Sequence, residues 1–205
     1  MIPSFPVYVF DVDGTLVDSA EDICGAIRTV LPRDGVSFDF LKTYIGRHLI
    51  DLFQDLKVPP HEIDPLIADY RRVYAAREHA ATKRYPGALE GVMKLGGRKS
   101  TATTKGTPTT RIVLEKFGFL PHFEHVQGTD GFPAKPAPDV LWAALKGLNA
   151  QPEDCLFVGD SPADMEAGRR AGVKICAVRY GYGNTAELAQ WSPDYWVDDL
   201  RELSC

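Results

Sequence analysis

The stretch that most constrains this chain is a short apolar run that ends at two aspartates. Val7–Phe10 are four consecutive apolar residues, as expected of a strand buried on both faces of a parallel sheet. The run stops at Asp11, and Asp13 and Gly14 follow at once. Ligands of open α/β sheets bind at the carboxyl ends of the strands, so this strand would bring two carboxylates to a binding edge. A turn that merely ends a strand is one interpretation of the Asp-Gly pair, and a Mg²⁺ site formed by two neighbouring anions is the other.

The remaining sequence divides into a helical segment and an alternating segment. From Ser19 to about His79, apolar residues recur at helical spacing. From Tyr85 onwards, strand-like and helix-like segments alternate, which predicts a doubly wound parallel sheet with helices on both faces. Because the first strand belongs to this sheet, the helical segment is an insertion. We therefore predict an α/β core domain of residues 1–16 and 81–205 and an inserted helical-bundle cap domain of residues 17–80.

Local patterns predict where several elements begin and end. Ser19 and Asp22 have the spacing of a helix start, and the first helix should end before Pro32. Pro65 marks a turn or another helix start. His125–Gly128 is expected to form a short strand between two helices. The other strands expected after the insertion cover residues 99–104, 155–158, 174–178 and 195–197.

Composition argues against several classes of protein. The 205 residues suffice for one substantial core, or for a core with a small accessory domain. A hydrophobic fraction of 44% and a charged fraction of 25% are those of an ordinary globular protein. The net charge of −5, without a long basic cluster, argues against nucleic acid as a partner. No apolar run approaches the roughly 18 residues that span a bilayer, and the N-terminus lacks a basic leader, so we expect a cytoplasmic monomer or homodimer without a membrane partner.

Four motifs, in order along the chain, carry a family resemblance. Asp11–Ser19, with the sequence Asp-Val-Asp-Gly-Thr-Leu-Val-Asp-Ser, resembles the first motif of the haloacid dehalogenase (HAD) superfamily. Thr103 matches the hydroxyl of the second motif, and Lys135–Asp139, Lys-Pro-Ala-Pro-Asp, resembles the third. Gly159–Asp164 resembles the fourth motif, Gly-Asp-x-x-x-Asp. The resemblance covers essentially the whole chain and implies an α/β core of this superfamily with an inserted cap.

The resemblance implies phosphoryl transfer from a small-molecule phosphate ester. Asp11 would attack phosphorus and form an aspartyl-phosphate. Asp13 would protonate the leaving oxygen and then deprotonate the water that hydrolyses the intermediate. Thr103 and Lys135 would complete the catalytic set by holding the phosphoryl oxygens in the transition state.

The resemblance also implies a metal ion and substrate contacts. The implied Mg²⁺ ligands are Asp11, the backbone carbonyl of Asp13, Asp160 and Asp164. The implied substrate contacts are the backbone near Gly14 and the side chain of Thr104. Within the insertion, Arg47 follows a glycine, and its guanidinium would suit a carboxylate or a second phosphate. A solvated arginine at a helix start is the alternative for Arg47.

The motifs also favour one branch of the superfamily. Dehalogenase relatives lack an acid at the place of Asp13, so its presence implies phosphoryl chemistry. An insertion directly after the first motif is similar to the cap of the branch that contains phosphoglycolate phosphatases, β-phosphoglucomutases and phosphonatases. The loop Val178–Gly183 is most similar to that of phosphoglycolate phosphatases. A phosphomutase is the alternative within this branch, and a phosphoacceptor signalling domain without small-molecule turnover is the alternative from a different class.

Overall fold

A five-stranded parallel sheet forms the centre of the computed structural model, which describes residues 2–33 and 35–204. In chain order the strands are β1 (Val7–Phe10), β2 (Val17–Asp18), β3 (Lys83–Arg84), β4 (Arg98–Thr101), β5 (Cys155–Gly159), β6 (Lys174–Val178) and β7 (Tyr195–Val197). The sheet has the order β4-β1-β5-β6-β7, and every neighbouring pair is parallel. The strand that carries the first motif therefore lies between β4 and β5, inside the sheet.

Between β2 and β3 the chain forms helices with a hydrophobic cluster of their own. These helices are α1 (Ala20–Val30), α2 (Phe38–Lys42), α3 (Leu49–Asp55) and α4 (Pro60–Ala76). Their buried side chains, among them Ile27, Leu52 and Tyr74, form one hydrophobic cluster. It is separate from the hydrophobic clusters that pack against the sheet. β2 and β3 pair antiparallel where the chain leaves and rejoins the rest of the fold. No helix within the described residues has the length and apolarity needed to cross a bilayer.

The two faces of the sheet are covered by different helices. After β3 the helices are α5 (Ala88–Lys94), α6 (Thr107–Lys116), α7 (Asp139–Gly147), α8 (Pro162–Ala171) and α9 (Thr185–Ala189). Tyr8 and Phe10 pack in one buried cluster with residues of α5 and α6, whereas Val7 and Val9 pack in a second cluster with residues of α7 and α8. Successive side chains of a strand point to opposite faces, so this division follows from the strand itself. The predicted α/β fold with a doubly wound parallel sheet is confirmed.

The predicted strand His125–Gly128 is wrong. Its one bridge is the isolated bridge of Gly128 to Thr103, although His125 N also donates to the Lys99 carbonyl of β4 at 3.3 Å. The hydroxyl of Thr101 accepts a hydrogen bond from the backbone N–H of Gln127 at 2.9 Å and donates one to its carbonyl at 2.9 Å. Because a side chain satisfies these backbone groups, the segment runs beside β4 without joining it as a strand. β4 itself ends at Thr101, earlier than predicted.

The first helix begins at the predicted place, but without the predicted capping contact. α1 starts directly after Ser19, yet the Ser19 side chain makes no capping hydrogen bond. Its hydroxyl donates instead to Asp13 Oδ1 at 2.6 Å. Asp22 accepts hydrogen bonds from the backbone N–H of Thr82 at 2.8 Å and from Arg77 Nε at 3.1 Å. Both polar side chains at the start of α1 are therefore used for contacts outside the helix.

Two further local predictions are corrected. Pro65 lies inside α4 and marks neither a turn nor a helix start. Its missing N–H removes one helical hydrogen bond, a loss that a helix of 17 residues sustains. Val17–Asp18, predicted as the start of the helical bundle, form β2 instead because they pair with Lys83–Arg84. A two-residue strand is too short to leave a periodic pattern in the sequence.

Candidate active site

Three polar side chains follow three neighbouring strands at their carboxyl ends. Asp11 follows β1, Thr103 lies shortly after β4, and Asp160 follows β5. β1 lies between the other two strands, so parallel pairing brings the three residues to one edge of the sheet. Each of the three is at most 2% exposed. The edge that the sequence predicted as a ligand site is thus a buried polar region.

Lys135 links two of the acids through its ammonium group. Its Nζ donates to Asp11 Oδ1 at 2.7 Å and to the carbonyl of Ala102 at 3.0 Å, and it also donates to Asp164 Oδ1. The Lys135 side chain is fully buried. Burial alone would lower the pKa of Lys135, but the carboxylates of Asp11 and Asp164 outweigh it and raise that pKa above its ordinary value. The ammonium therefore stays charged in the site.

Asp160 is held by two hydrogen bonds and by space that two glycines leave. Thr15 Oγ1 donates to Asp160 Oδ1 at 3.1 Å, and the backbone N–H of Tyr182 donates to Oδ2 at 2.8 Å. A Cβ on Gly14 would lie 2.2 Å from Asp160 Oδ2, and a Cβ on Gly181 would lie 2.2 Å from Asp160 Cβ. Gly14 also has φ = +95°, a conformation that favours glycine. In this structure Gly14 makes room for the Asp160 carboxylate.

Asp164 fixes the loop that carries Asp160. Its Oδ2 accepts hydrogen bonds from Asp160 N at 3.2 Å, from Ser161 N at 2.9 Å and from Ser161 Oγ at 2.6 Å. Asp164 N donates back to Ser161 Oγ at 3.2 Å, which completes a capping box at the start of α8. Since Lys135 binds Oδ1, both carboxylate oxygens of Asp164 have protein donors.

The carboxylates of Asp11, Asp160 and Asp164 carry more negative charge than their surroundings compensate. One oxygen of each lies within 4.8 Å of the others, and all three residues are buried. Burial raises the pKa of Asp11 to about 7, with Lys135 opposing the rise and Asp164 adding to it. Burial, together with Asp164 and Asp11, also raises the pKa of Asp160 well above its ordinary value. Lys135 supplies one positive charge against three carboxylates, so this set of oxygen donors fits a hard divalent cation such as Mg²⁺.

Asp13 lies beside this group, but its carboxylate has different partners. Ser19 Oγ donates to Asp13 Oδ1 at 2.6 Å, and Lys105 Nζ lies 3.2 Å from Oδ2. Lys105 Nζ also donates to the hydroxyl of Tyr74 on α4 at 2.8 Å. Burial alone would lower the pKa of Lys105, but Asp13 and the tyrosine hydroxyls raise it above its ordinary value. The Asp13 carboxyl group therefore lies beside an ammonium that also contacts the insertion.

Comparison with known proteins identifies the family. The family model described as "Haloacid dehalogenase-like hydrolase" matches residues 8–178, a range that includes Asp11, Thr103, Lys135 and Asp164. The chain belongs to the haloacid dehalogenase-like hydrolase family. The family resemblance and the enzyme class predicted from the sequence are thereby confirmed.

Relatives of this HAD hydrolase extend over nearly its whole length. It is 31% identical to "Phosphoglycolate phosphatase 1" of Pseudomonas aeruginosa, with 95% of this chain and 77% of that protein covered. It is 32% identical to "Pyrophosphatase PpaX" of Bacillus cereus, with 95% of this chain and 93% of that protein covered. A solved structure of a haloacid dehalogenase-like hydrolase from Bacteroides fragilis superposes with a TM-score of 0.92 at 28% identity, covering 98% of this chain and 100% of that chain.

A cavity of about 560 Å³ in the HAD hydrolase is lined by Asp11 and Asp13 and by residues of the helical insertion. Thr103 lines it near Asp11. Thr104 also lines it, but its hydroxyl donates to the carbonyl of Gly46 in the insertion at 2.7 Å. Arg47 lines the opposite side, with its guanidinium 4.6 Å from the ring centre of Tyr44 and 3.9 Å from a carboxylate oxygen of Asp51. Core and insertion thus both contribute to the cavity wall.

Sequence reasoning missed three residues that contact the predicted site. Lys105 directly follows Thr104 in the second motif, so a signal for a further cation was present in the sequence. Ser19 has the pattern of a helix start and ends the first motif, but its contact with Asp13 is not evident from either. The Tyr182 hydroxyl accepts a hydrogen bond from Ser19 N at 2.7 Å and donates one to Asp18 Oδ1 at 2.9 Å. Nothing in the sequence indicated these two hydrogen bonds of Tyr182, because each joins residues more than 160 positions apart.

Proposed function

We propose that this HAD hydrolase is a Mg²⁺-dependent phosphatase that hydrolyses small phosphate monoesters through an aspartyl-phosphate. The observation that carries the proposal is the contact between Asp11 and Lys135 in a buried group of three carboxylates, of which Asp11 lines a cavity. Phosphoglycolate, which several relatives are named for, is one candidate substrate among the small phosphate compounds to be tested.

In the first step Asp11 attacks phosphorus. Lys135 binds Asp11 Oδ1, which leaves Oδ2 as the attacking oxygen. A bond forms between Oδ2 and phosphorus while the bond from phosphorus to the ester oxygen breaks. Asp13 gives its proton to that leaving oxygen, and the alcohol departs. Thr103 holds a phosphoryl oxygen during this transfer, and Lys135, whose ammonium binds Asp11, Asp164 and the Ala102 carbonyl, supplies positive charge beside the phosphoryl group.

In the second step water hydrolyses the aspartyl-phosphate. Asp13, now a carboxylate, removes a proton from the water, whose oxygen bonds to phosphorus as the bond to Asp11 breaks. Inorganic phosphate leaves and Asp11 is regenerated. Lys105 stabilises the Asp13 carboxylate that the first step produces, and Ser19 fixes its orientation. Lys105 is therefore a positioning residue for the acid and base.

Asp11 and Asp160 are the carboxylates best suited to hold Mg²⁺ directly. Each oxygen of Asp160 accepts one protein hydrogen bond, which leaves a free lone pair on each. Asp164 has both oxygens engaged by protein donors, so it would act by orienting Asp160 and Lys135. The backbone carbonyl of Asp13 is the remaining proposed ligand. When bound, the ion would neutralise the carboxylates and the phosphoryl charge so that the anions can approach each other.

The insertion of residues 17–80 acts as a cap over the core of residues 1–16 and 81–205. Two hydrogen bonds support this assignment, from Thr104 Oγ1 to Gly46 O at 2.7 Å and from Lys105 Nζ to the Tyr74 hydroxyl at 2.8 Å. A cap that closes over the cavity excludes bulk water and contacts the leaving group.

A panel of phosphate compounds tests the proposed function. The purified protein is incubated with MgCl₂ and phosphoglycolate, pyrophosphate, sugar phosphates or nucleoside monophosphates, and inorganic phosphate is measured. We expect many turnovers per chain, loss of activity with EDTA, and recovery with excess Mg²⁺. One stable phosphorylation per chain would instead indicate a signalling domain, and isomerisation of a sugar phosphate without phosphate release would indicate a mutase.

Replacing Lys105 by Met should lower kcat roughly 10- to 100-fold with little change in KM. The substitution keeps the length of the side chain but removes the charge that stabilises the Asp13 carboxylate. Lys105→Arg should recover part of kcat. Lys116→Met is the control, because Lys116 also reaches the end of the insertion through the carbonyls of Glu78 and His79, without a contact to Asp13. An equal loss in both Met variants would assign the effect to attachment of the insertion.

Replacing Arg47 by Ala should weaken hydrolysis of an ester whose leaving group carries a carboxylate, such as phosphoglycolate, about tenfold more than hydrolysis of p-nitrophenyl phosphate. Arg47 lines the cavity on the side of the insertion, where the leaving group would lie. The comparison uses kcat/KM for both substrates in the same preparation, so general damage to the protein cancels. Equal losses for the two substrates would remove Arg47 from substrate recognition.

A further inference from the structure

The cavity beside Asp11 is larger than the smallest candidate substrate needs. Its volume is about 560 Å³. Cavities of about 300–1,000 Å³ typically enclose drug-sized ligands. Phosphoglycolate has only two carbon atoms, and its phosphoryl group would lie at Asp11. Most of the cavity would therefore remain unfilled by a glycolate leaving group.

This volume exists although the insertion already contacts the core beside the cavity. Thr104 binds the Gly46 carbonyl, and Lys105 binds the Tyr74 hydroxyl, at normal hydrogen-bond distances. Gly46 also approaches the core at α8, since a Cβ there would lie 3.4 Å from Ser161 Oγ. The cavity thus lies between parts of the fold that already contact each other.

The wall of the cavity has two chemically different sides. The core contributes carboxylates, hydroxyls and backbone around Asp11 and Thr103. The insertion contributes mostly apolar and aromatic side chains from α1, from α4 and from the loop before α3, together with the polar side chains of Arg47, His48 and Arg71. The apolar and aromatic side chains include Ile23, Ile27, Tyr44, Ile45, Ile67 and Tyr70. A phosphoryl group suits the first side, and an apolar group suits the second because its burial there removes hydrocarbon from water.

We propose that the preferred leaving group of this enzyme is an alcohol with an extended apolar or aromatic body that fills the insertion side of the cavity. The inference rests on the proposed phosphatase function and adds the substrate class. Phosphoglycolate and other two-carbon esters are then poor substrates, because they leave the apolar wall uncovered.

Two esters with alcohols of similar acidity test the inference. The kcat/KM for 2-phenylethyl phosphate should exceed that for ethyl phosphate, and that for phosphoglycolate, by roughly 10- to 100-fold. Ala75 lies on α4 at the cavity wall. Ala75→Trp should lower the ratio of the two kcat/KM values at least about tenfold and change kcat/KM for ethyl phosphate little. Ala76→Trp is the matched control. Ala76 is the next exposed residue of α4 and does not line the cavity, so its substitution should alter neither ester.

A binding measurement separates this inference from the proposed function. Calorimetry with the Asp11→Asn variant and Mg²⁺ should give a Kd for 2-phenylethyl phosphate at least about tenfold below that for ethyl phosphate. Equal affinities, a wild-type preference for phosphoglycolate or ethyl phosphate, or equal losses for both esters in Ala75→Trp would each overturn the inference. If the enzyme hydrolyses only the small esters, the inference about the leaving group is wrong, but the phosphatase proposal stands. Selective binding without turnover of any ester would support the cavity assignment and refute the phosphatase proposal.

Discussion

Replacement of Asp11 by Asn is expected to lower kcat by at least ~10⁴-fold while the protein keeps its fold. The amide has nearly the same size and can still accept the hydrogen bond from Lys135, but it lacks the negative charge that attacks phosphorus. Burial raises the pKa of Asp11, so removal of this carboxylate also relieves an unfavourable buried charge. Phosphate release at saturating ester and Mg²⁺ gives kcat, and a thermal melt checks the fold.

Asp154→Asn provides the matched control for this experiment. Asp154 is exposed and immediately precedes β5, at the end of the strand remote from Asp160. The same change of an acid to an amide there should leave kcat within about twofold, because surface substitutions away from a site have small effects. An Asp11→Asn protein with a native melting curve and a kcat within tenfold of the wild type would falsify the nucleophile assignment.

Replacement of Asp22 by Ala is expected to lower the free energy of unfolding by about 3 kcal/mol, a fall in Tm of roughly 6–12 °C. The carboxylate is buried and accepts hydrogen bonds from Ala81 N at 3.0 Å, Thr82 N at 2.8 Å, Thr82 Oγ1 at 2.7 Å and Arg77 Nε at 3.1 Å. Its removal would leave these donors without an acceptor. Glu21→Ala, which removes the neighbouring exposed carboxylate, should cost far less.

The effect of Asp22 should also depend on pH. Burial alone would raise the pKa of Asp22, but the hydrogen bonds from Thr82, Arg77 and Ala81 hold it below its ordinary value. A carboxyl whose pKa is lower in the folded state contributes stability above its unfolded pKa of about 3.9 and loses it as the pH falls through the folded pKa. The difference in unfolding free energy between wild type and Asp22→Ala should therefore shrink below about pH 4. A constant difference from pH 7 to pH 2 would rule out an ionised Asp22 as its source.

Much of the fold followed from the sequence because its signals are local. Val7–Phe10 are apolar without interruption, and β5 and β6 show the same pattern, so their burial inside a parallel sheet could be inferred. The carboxyl ends of parallel strands share one edge. That rule predicted that Asp11 and Asp160 lie close together. The family resemblance added Lys135 to the same site.

The errors arise where a side chain replaces a backbone partner or acts across the fold. Thr101 bonds both backbone groups of Gln127, so a segment with a strand-like sequence stays outside the sheet. Ser19 carries the signature of a helix cap but binds Asp13. The bridge from Asp13 through Lys105 to Tyr74 connects the core with α4. Such contacts depend on how the insertion lies against the core, which local periodicity does not encode.

The place of β1 inside the sheet has a consequence for synthesis of the chain. Its two neighbours, β4 and β5, begin only at residues 98 and 155. On the ribosome β1 therefore emerges with no strand to pair with, whereas α1–α4 follow at once and have a cluster of their own to bury. Asp160 and Asp164 are made later still. A nascent or truncated chain that ends before them lacks two of the three clustered carboxylates, so catalysis must await translation past residue 164.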